Sequence, residues 1–72
     1  MSNSYRPGQA VHWHWRDGTA RGRIAQRFER RVQRTIKDAT VVRNGSPRDP
    51  AYLIEQDGDD LVLKLGSELS AA

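Results

Sequence analysis

The sequence predicts an all-β domain, built as a small, strongly bent barrel of five strands. Apolar and polar residues alternate at period two within short stretches, and turn residues separate those stretches at spacings of ~8–12 residues. The one stretch whose spacing also suits a helix is crowded with β-branched residues. At 72 residues the chain is a single domain, and with no Cys it holds neither disulfides nor a thiolate zinc site.

Residues 1–7 read as a polar, disordered lead-in, and residues 8–70 as the domain. Pro7-Gly8 signals a turn. From Ala10 to Trp15 the chain alternates, with Val11, Trp13 and Trp15 on one face and Ala10, His12 and His14 on the other. Arg16-Asp17-Gly18 then reads as a hairpin turn. The next strand, Thr19 to Phe28, places Ala20, Gly22, Ile24 and Phe28 on one face, with Arg21, Arg23, Ala25 and Arg27 opposite. Gly22 inside this strand marks a bulge, a sharp bend or a close backbone approach.

The middle of the chain admits two readings. Ile24, Phe28, Val32 and Ile36 recur every four residues, which also fits a basic amphipathic helix from Gly22 to Lys37. No helix stop follows, however, and Thr35, Ile36, Thr40, Val41 and Val42 are β-branched and crowd a helix at χ1. The preferred reading is a long hairpin: one arm through about Ile36, a tip at Lys37-Asp38 and a return through Arg43. The stretch from Asn44 to Pro50, with two Pro and one Gly, is a loop. Tyr52 to Glu55 reads as a strand, and the residues from Asp57 to Asp60 as a tight turn. Leu61, Leu63 and Leu65 then share a strand face, and Leu69 caps the core after a closing turn at Gly66.

Charge is unevenly spread along the chain, whose net charge is +3. The segment from Arg16 to Arg43 is strongly basic, and the segment from Asp49 onward is acidic apart from Lys64. Ten of the twelve basic residues are Arg, which favours planar, bidentate contacts. No apolar run approaches the ~20 residues that a membrane helix needs. The first residues lack the apolar stretch of a secretory signal, so the expected location is cytoplasmic.

Four short patterns resemble the hypervirulence-associated tudor-like domain, a family of small bacterial and fungal proteins or modules. They are Gly8-x-x-Val11-x-Trp13, Gly18-x-x-x-Gly22-x-Ile24, Asp49-Pro50-x-Tyr52-x-Ile54 and Gly66-Ser67-x-Leu69. In this order they span about residues 7–69. The resemblance implies a five-stranded, strongly bent tudor-like barrel, of bacterial type and without established enzymatic activity. The extra Trp15 and the Arg-rich run from Arg27 to Arg34 depart from the family pattern.

The functional expectation is therefore a non-enzymatic interaction module with no cofactor and no membrane partner. No nucleophile elbow, P-loop or zinc-protease motif appears. His12 and His14 share a face, but the chain has no third His and no Cys, so no metal site is expected. The alternative is nucleic-acid binding, with Arg21, Arg23, Arg27, Arg30, Arg31 and Arg34 forming a basic stripe along the strand and hairpin. Trp15 and Tyr52, near strand ends, are the candidate aromatic contacts for a ligand, while Trp13 and Phe28 are assigned to the core. A thin core with two extended arms and oppositely charged halves of the chain is also suited to hairpin exchange between identical chains, giving a homodimer.

Overall fold

The computed structural model describes residues 4–57 and 60–72. Seven strands run in chain order: β1 (Ala10–Trp15), β2 (Gly18–Phe28), β3 (Arg31–Ile36), β4 (Ala39–Asn44), β5 (Ala51–Gln56), β6 (Asp60–Leu65) and β7 (Ser70–Ala71). A 3-10 turn, Gly66–Glu68, precedes β7. Five strands form one sheet in the order β6-β5-β2-β1-β7, and β3 and β4 form a separate two-stranded hairpin. The fold is all-β as predicted, and the segment from Gly22 to Lys37 contains strands in place of a helix. The barrel is not closed by hydrogen bonds: β4 and β6 lie side by side but belong to different sheets.

Local chemistry explains the turns. At Arg6–Gln9 the Gln9 N–H donates to the Arg6 carbonyl at 3.0 Å, with Pro7 and a left-handed Gly8 (φ 86°) between them, the arrangement that Pro-Gly favours. Trp15 pairs with Gly18, so the β1–β2 connection is the two residues Arg16 and Asp17. Ile36 pairs with Ala39, and the tip residues Lys37 and Asp38 both take positive φ, as a two-residue hairpin of this twist demands. The predicted tip is the observed one. The predicted arm, by contrast, breaks at Glu29 and Arg30, between β2 and β3. For the predicted Asp57–Asp60 turn, Gly58 and Asp59 lie outside the described residues.

The long strand β2 organises the sheet. Its first half pairs with β1 and its second half with β5, meeting both near Arg23. Gly22 sits at this crossing. A Cβ there would stand 2.6 Å from the Glu55 carbonyl oxygen and 2.7 Å from Ile54 Cγ2, so only glycine lets the backbones approach. The bulge itself falls three residues later, where the register slips between Ile24 and Gln26 and leaves Ala25 unpaired.

That slip reverses the facing of the rest of β2. Ile24 pairs with Ile54 and, past the bulge, Arg27 pairs with Tyr52, placing Arg27 on the Ile24 side, opposite Arg21 and Arg23. Phe28 moves to the other face, beside Ala51. The predicted single core is thus two clusters. One gathers Tyr5, Val11, Trp13, Ile24, Tyr52, Ile54 and Leu69. The other joins Val32, Ala51 and Leu63, with Phe28, Ile36, Val41 and Leu65 against it. Successive residues of β5, Ala51 and Tyr52, serve opposite clusters, and both are fully buried.

Tyr5 corrects the lead-in expectation for the described residues 4–7. Its ring meets Tyr52 edge-on at 5.6 Å, its N–H donates to the Tyr52 hydroxyl at 2.8 Å, and its own hydroxyl donates to the Leu69 carbonyl. Residues 1–3 lie outside the described part. The radius of gyration, 11.3 Å, equals the ~11 Å expected for a compact chain of this length, so the β3–β4 hairpin is folded back onto its own sheet.

Candidate interaction surfaces

Alternation along β1 puts Trp15 in phase with Val11 and Trp13, but Trp15 sits at the strand's end, beyond the cover that buries the other two. It is 57% exposed, against 4% for Trp13. The Arg16 guanidinium lies 5.4 Å from its ring. Leu61, first in the Leu61/Leu63/Leu65 row, is 39% exposed and, unlike Leu63 and Leu65, stays outside the second cluster. Trp15 and Leu61 line one groove of about 290 Å³ that also takes in Trp13, Ile36, Val41 and Val62. Its charged lining residues, Arg43 and Lys64, are both basic.

Both basic groups converge on Glu68. Arg43 Nε donates to Glu68 Oε1 at 3.0 Å, the Leu65 N–H donates to the same oxygen at 2.8 Å, and Lys64 Nζ lies 3.7 Å from Oε2. Partial burial opposes the charge on Glu68. The Leu65 N–H, Arg43 and Lys64 outweigh it and hold the carboxyl below the usual carboxylate range. Glu68 thereby ties β4 and β6 together at one end of the groove, where no strand hydrogen bonds join them among the described residues.

The predicted aromatic pair is not assembled. Tyr52 is fully buried beneath Tyr5, because β5 is covered on both faces, so Trp15 stands without it on the surface. The Tyr52 hydroxyl accepts from the Tyr5 N–H and from Arg27, and this hydroxyl, more than Glu29, raises the affinity of Arg27 for its proton. Arg27 also pairs with Glu29.

The six arginines are likewise dispersed. Arg21 and Arg23 face a groove of about 750 Å³ that also contains the carboxylates Glu55 and Asp57, and Arg23 Nη1 donates to the Gly8 carbonyl at 3.0 Å. Arg27 is on the other face, occupied as above. Arg30 and Arg34 lie over the Phe28 ring, with guanidinium carbons 5.4 and 5.1 Å from its centroid. Arg31 is exposed on the face of β3 opposite Val32 and Arg34. A continuous stripe would have needed an unbroken period of two, which the bulge at Ala25 and the bend at Glu29 interrupt.

The sequence profile of the hypervirulence associated proteins tudor domain matches residues 8–69, nearly the whole chain. The chain belongs to that family. Neither the curated proteins nor the solved structures gave a match. The structure gives the four family-like patterns of this tudor domain a common physical basis. Val11, Trp13, Ile24, Tyr52, Ile54 and Leu69 form the first cluster. The Asp49 carboxylate accepts from the Ser67 N–H and hydroxyl, both at 2.7 Å, and the Gly66 N–H donates to the Pro50 carbonyl at 2.8 Å. Thus Asp49-Pro50 and Gly66-Ser67 interlock, an arrangement that loop composition alone does not reveal.

His12 and His14 stand on β1 across from Arg21 and Thr19. No group of three metal-ligating residues occurs among the described residues, and no helix there is long and apolar enough to cross a membrane.

Proposed function

We propose that this tudor domain is a non-enzymatic interaction module whose contact surface is the groove between Trp15, Leu61 and the β3–β4 hairpin. The carrying observation is that Trp15 and Leu61, the large apolar residues left exposed among the described residues, line the same groove. Exposed tryptophan is a frequent anchor of protein contacts, since its ring contributes large area with few rotors to fix. The occupant is an extended segment of a partner protein with an apolar anchor flanked by Asp or Glu. Charge complementarity supports that choice: Arg43 and Lys64 line the groove and share the single carboxylate of Glu68, which leaves an excess of positive charge, and Arg16 adds a further cation over Trp15. Reading the six arginines as one nucleic-acid track draws less support, because they lie on different faces.

An array of short peptides tests this, one set pairing Leu or Phe with Asp and Glu, a second pairing them with Lys and Arg. Tryptophan fluorescence should report binding of the acidic set, weakened at least tenfold by Trp15→Ala. Equal binding of the basic set, or an unaffected Trp15→Ala variant, would refute it. A sedimentation mass of two chains that drops to one in Trp15→Ala would make a second copy the occupant and overturn the peptide assignment.

A further inference from the structure

We infer that the bend between β2 and β3 is a phosphate-binding site, formed by Arg30 and Arg34, whose guanidinium groups both lie over Phe28. It is separate from the Trp15 groove and does not depend on it. Phe28 is anchored from below, since its ring packs against the Val32, Ala51 and Leu63 cluster. Both guanidinium carbons sit over that one ring, at 5.4 Å for Arg30 and 5.1 Å for Arg34. A guanidinium held over a ring by its charge spends no N–H donor on an oxygen acceptor there, so its five donors are not consumed by the ring. Each arginine commits Nη1 to a main-chain carbonyl: Arg30 to Arg31 at 3.3 Å and Arg34 to Gln33 at 2.9 Å. The remaining donors face no carboxylate. The ion pairs among the described residues use Arg27, Lys37, Arg43 and Lys64, and the nearby Glu29 is taken by Arg27.

The backbone under the pair is held rigidly. The Gly45 N–H donates to the Arg30 carbonyl at 3.1 Å. A Cβ on Gly45 would stand only 2.5 Å from the Phe28 carbonyl oxygen and 2.9 Å from that of Arg30, so the loop is pressed against the bend. Two planar cations, oriented before any ligand arrives, lose little rotamer freedom when a phosphate takes their edges. Arg30 and Arg34 differ from Arg27 and Arg43, whose cations already meet Glu29 and Glu68, and from the other arginines in lying together over one ring.

The test follows the Nε–Hε signals of the arginines by NMR during titration, once with inorganic phosphate and once with a ten-nucleotide oligothymidylate. Arg30 and Arg34 should shift together and saturably, and Arg30→Gln or Arg34→Gln should weaken binding at least fivefold. Arg31→Gln removes the same charge from the opposite face of β3 and should change affinity less than twofold. Oligonucleotide binding at least tenfold tighter than phosphate identifies the ligand's source as a nucleic-acid backbone, and equal affinities identify it as a free phosphate. The site is overturned if neither titrant shifts the two signals saturably, or if Arg31→Gln weakens binding as much as Arg34→Gln.

Discussion

Replacing Tyr5 is the sharpest check on how this small domain is held together. The residue is 9% exposed and its ring lies edge-on to Tyr52; its main-chain N–H donates to the Tyr52 hydroxyl and its own hydroxyl to the Leu69 carbonyl, so it ties two points distant in sequence. Truncating a buried aromatic to Ala costs about 3–5 kcal/mol. Here the lower figure of about 3 applies, because a detached residue 4–7 segment regains backbone freedom. The total stability of a 72-residue domain is about 4–11 kcal/mol, so Tyr5→Ala removes a large part of it. Tyr5→Phe keeps the ring and the backbone bond, and loses only the 3.2 Å bond to Leu69, about 1 kcal/mol. Urea unfolding followed by Trp13 and Trp15 fluorescence reads both. With a slope near ~1 kcal/mol/M the midpoints should fall by about 3 M and 1 M. Burial, with a smaller contribution from Tyr52, pushes the Tyr5 phenol up from its ordinary value. Its proton is held more tightly in the fold than in the open chain. That stabilisation is complete below the ordinary tyrosine value near pH 10 and is lost as pH rises through the folded value. Tyr5→Phe should therefore flatten the alkaline decline. A Tyr5→Ala midpoint within ~0.3 M of the parent would refute the reasoning, since by the slope above that is only about 0.3 kcal/mol.

Three further outcomes are expected. Gly22→Ala forces a methyl against the Glu55 carbonyl and Ile54, and should cost about 2–3 kcal/mol in the same urea assay, with Arg21→Ala nearby costing less than about 0.5. Asp38→Gly relieves a left-handed φ of 65° at the hairpin tip and should raise stability by about 0.5–1 kcal/mol; a loss would contradict the assigned turn. Glu68→Gln should cost less than about 1 kcal/mol at pH 7, given the partial solvent exposure of its ion pairs. Because the folded carboxyl lies below its usual range, the Glu68 contribution is present above the usual value near pH 4.5 and fades as pH falls through the folded value. Parent and variant unfolding curves should then converge as the pH falls below the usual carboxylate value, and an unchanged gap would contradict the assigned pairing.

Much of the candidate surface was legible residue by residue but not as an arrangement. Trp15 stands exposed as its place at the end of β1 suggested, whereas Tyr52, equally near a strand end, is enclosed because β5 lies between β2 and β6 and under Tyr5. Leu61 looked like a core residue by phase and instead lines the groove, outside the second cluster, although the hairpin tip pairs with its neighbour Asp60. The arginines were visible as a basic run, but their facing depended on one unpaired residue, Ala25. Nothing in composition distinguishes Tyr5 from the polar residues around it, though a lone aromatic in a polar lead-in is itself the signal to follow.

By itself the sequence determined the all-β class, the hairpin tip at Lys37-Asp38, an irregularity or close approach at Gly22 and the family, because alternation, β-branching and turn chemistry act within a few residues. Tertiary structure alone decided the reversal of facing after Ala25, the division into two clusters and which aromatics meet solvent. Those depend on where β2 and β5 cross and on what covers each end of the sheet, and both are set by contacts between residues far apart in the chain.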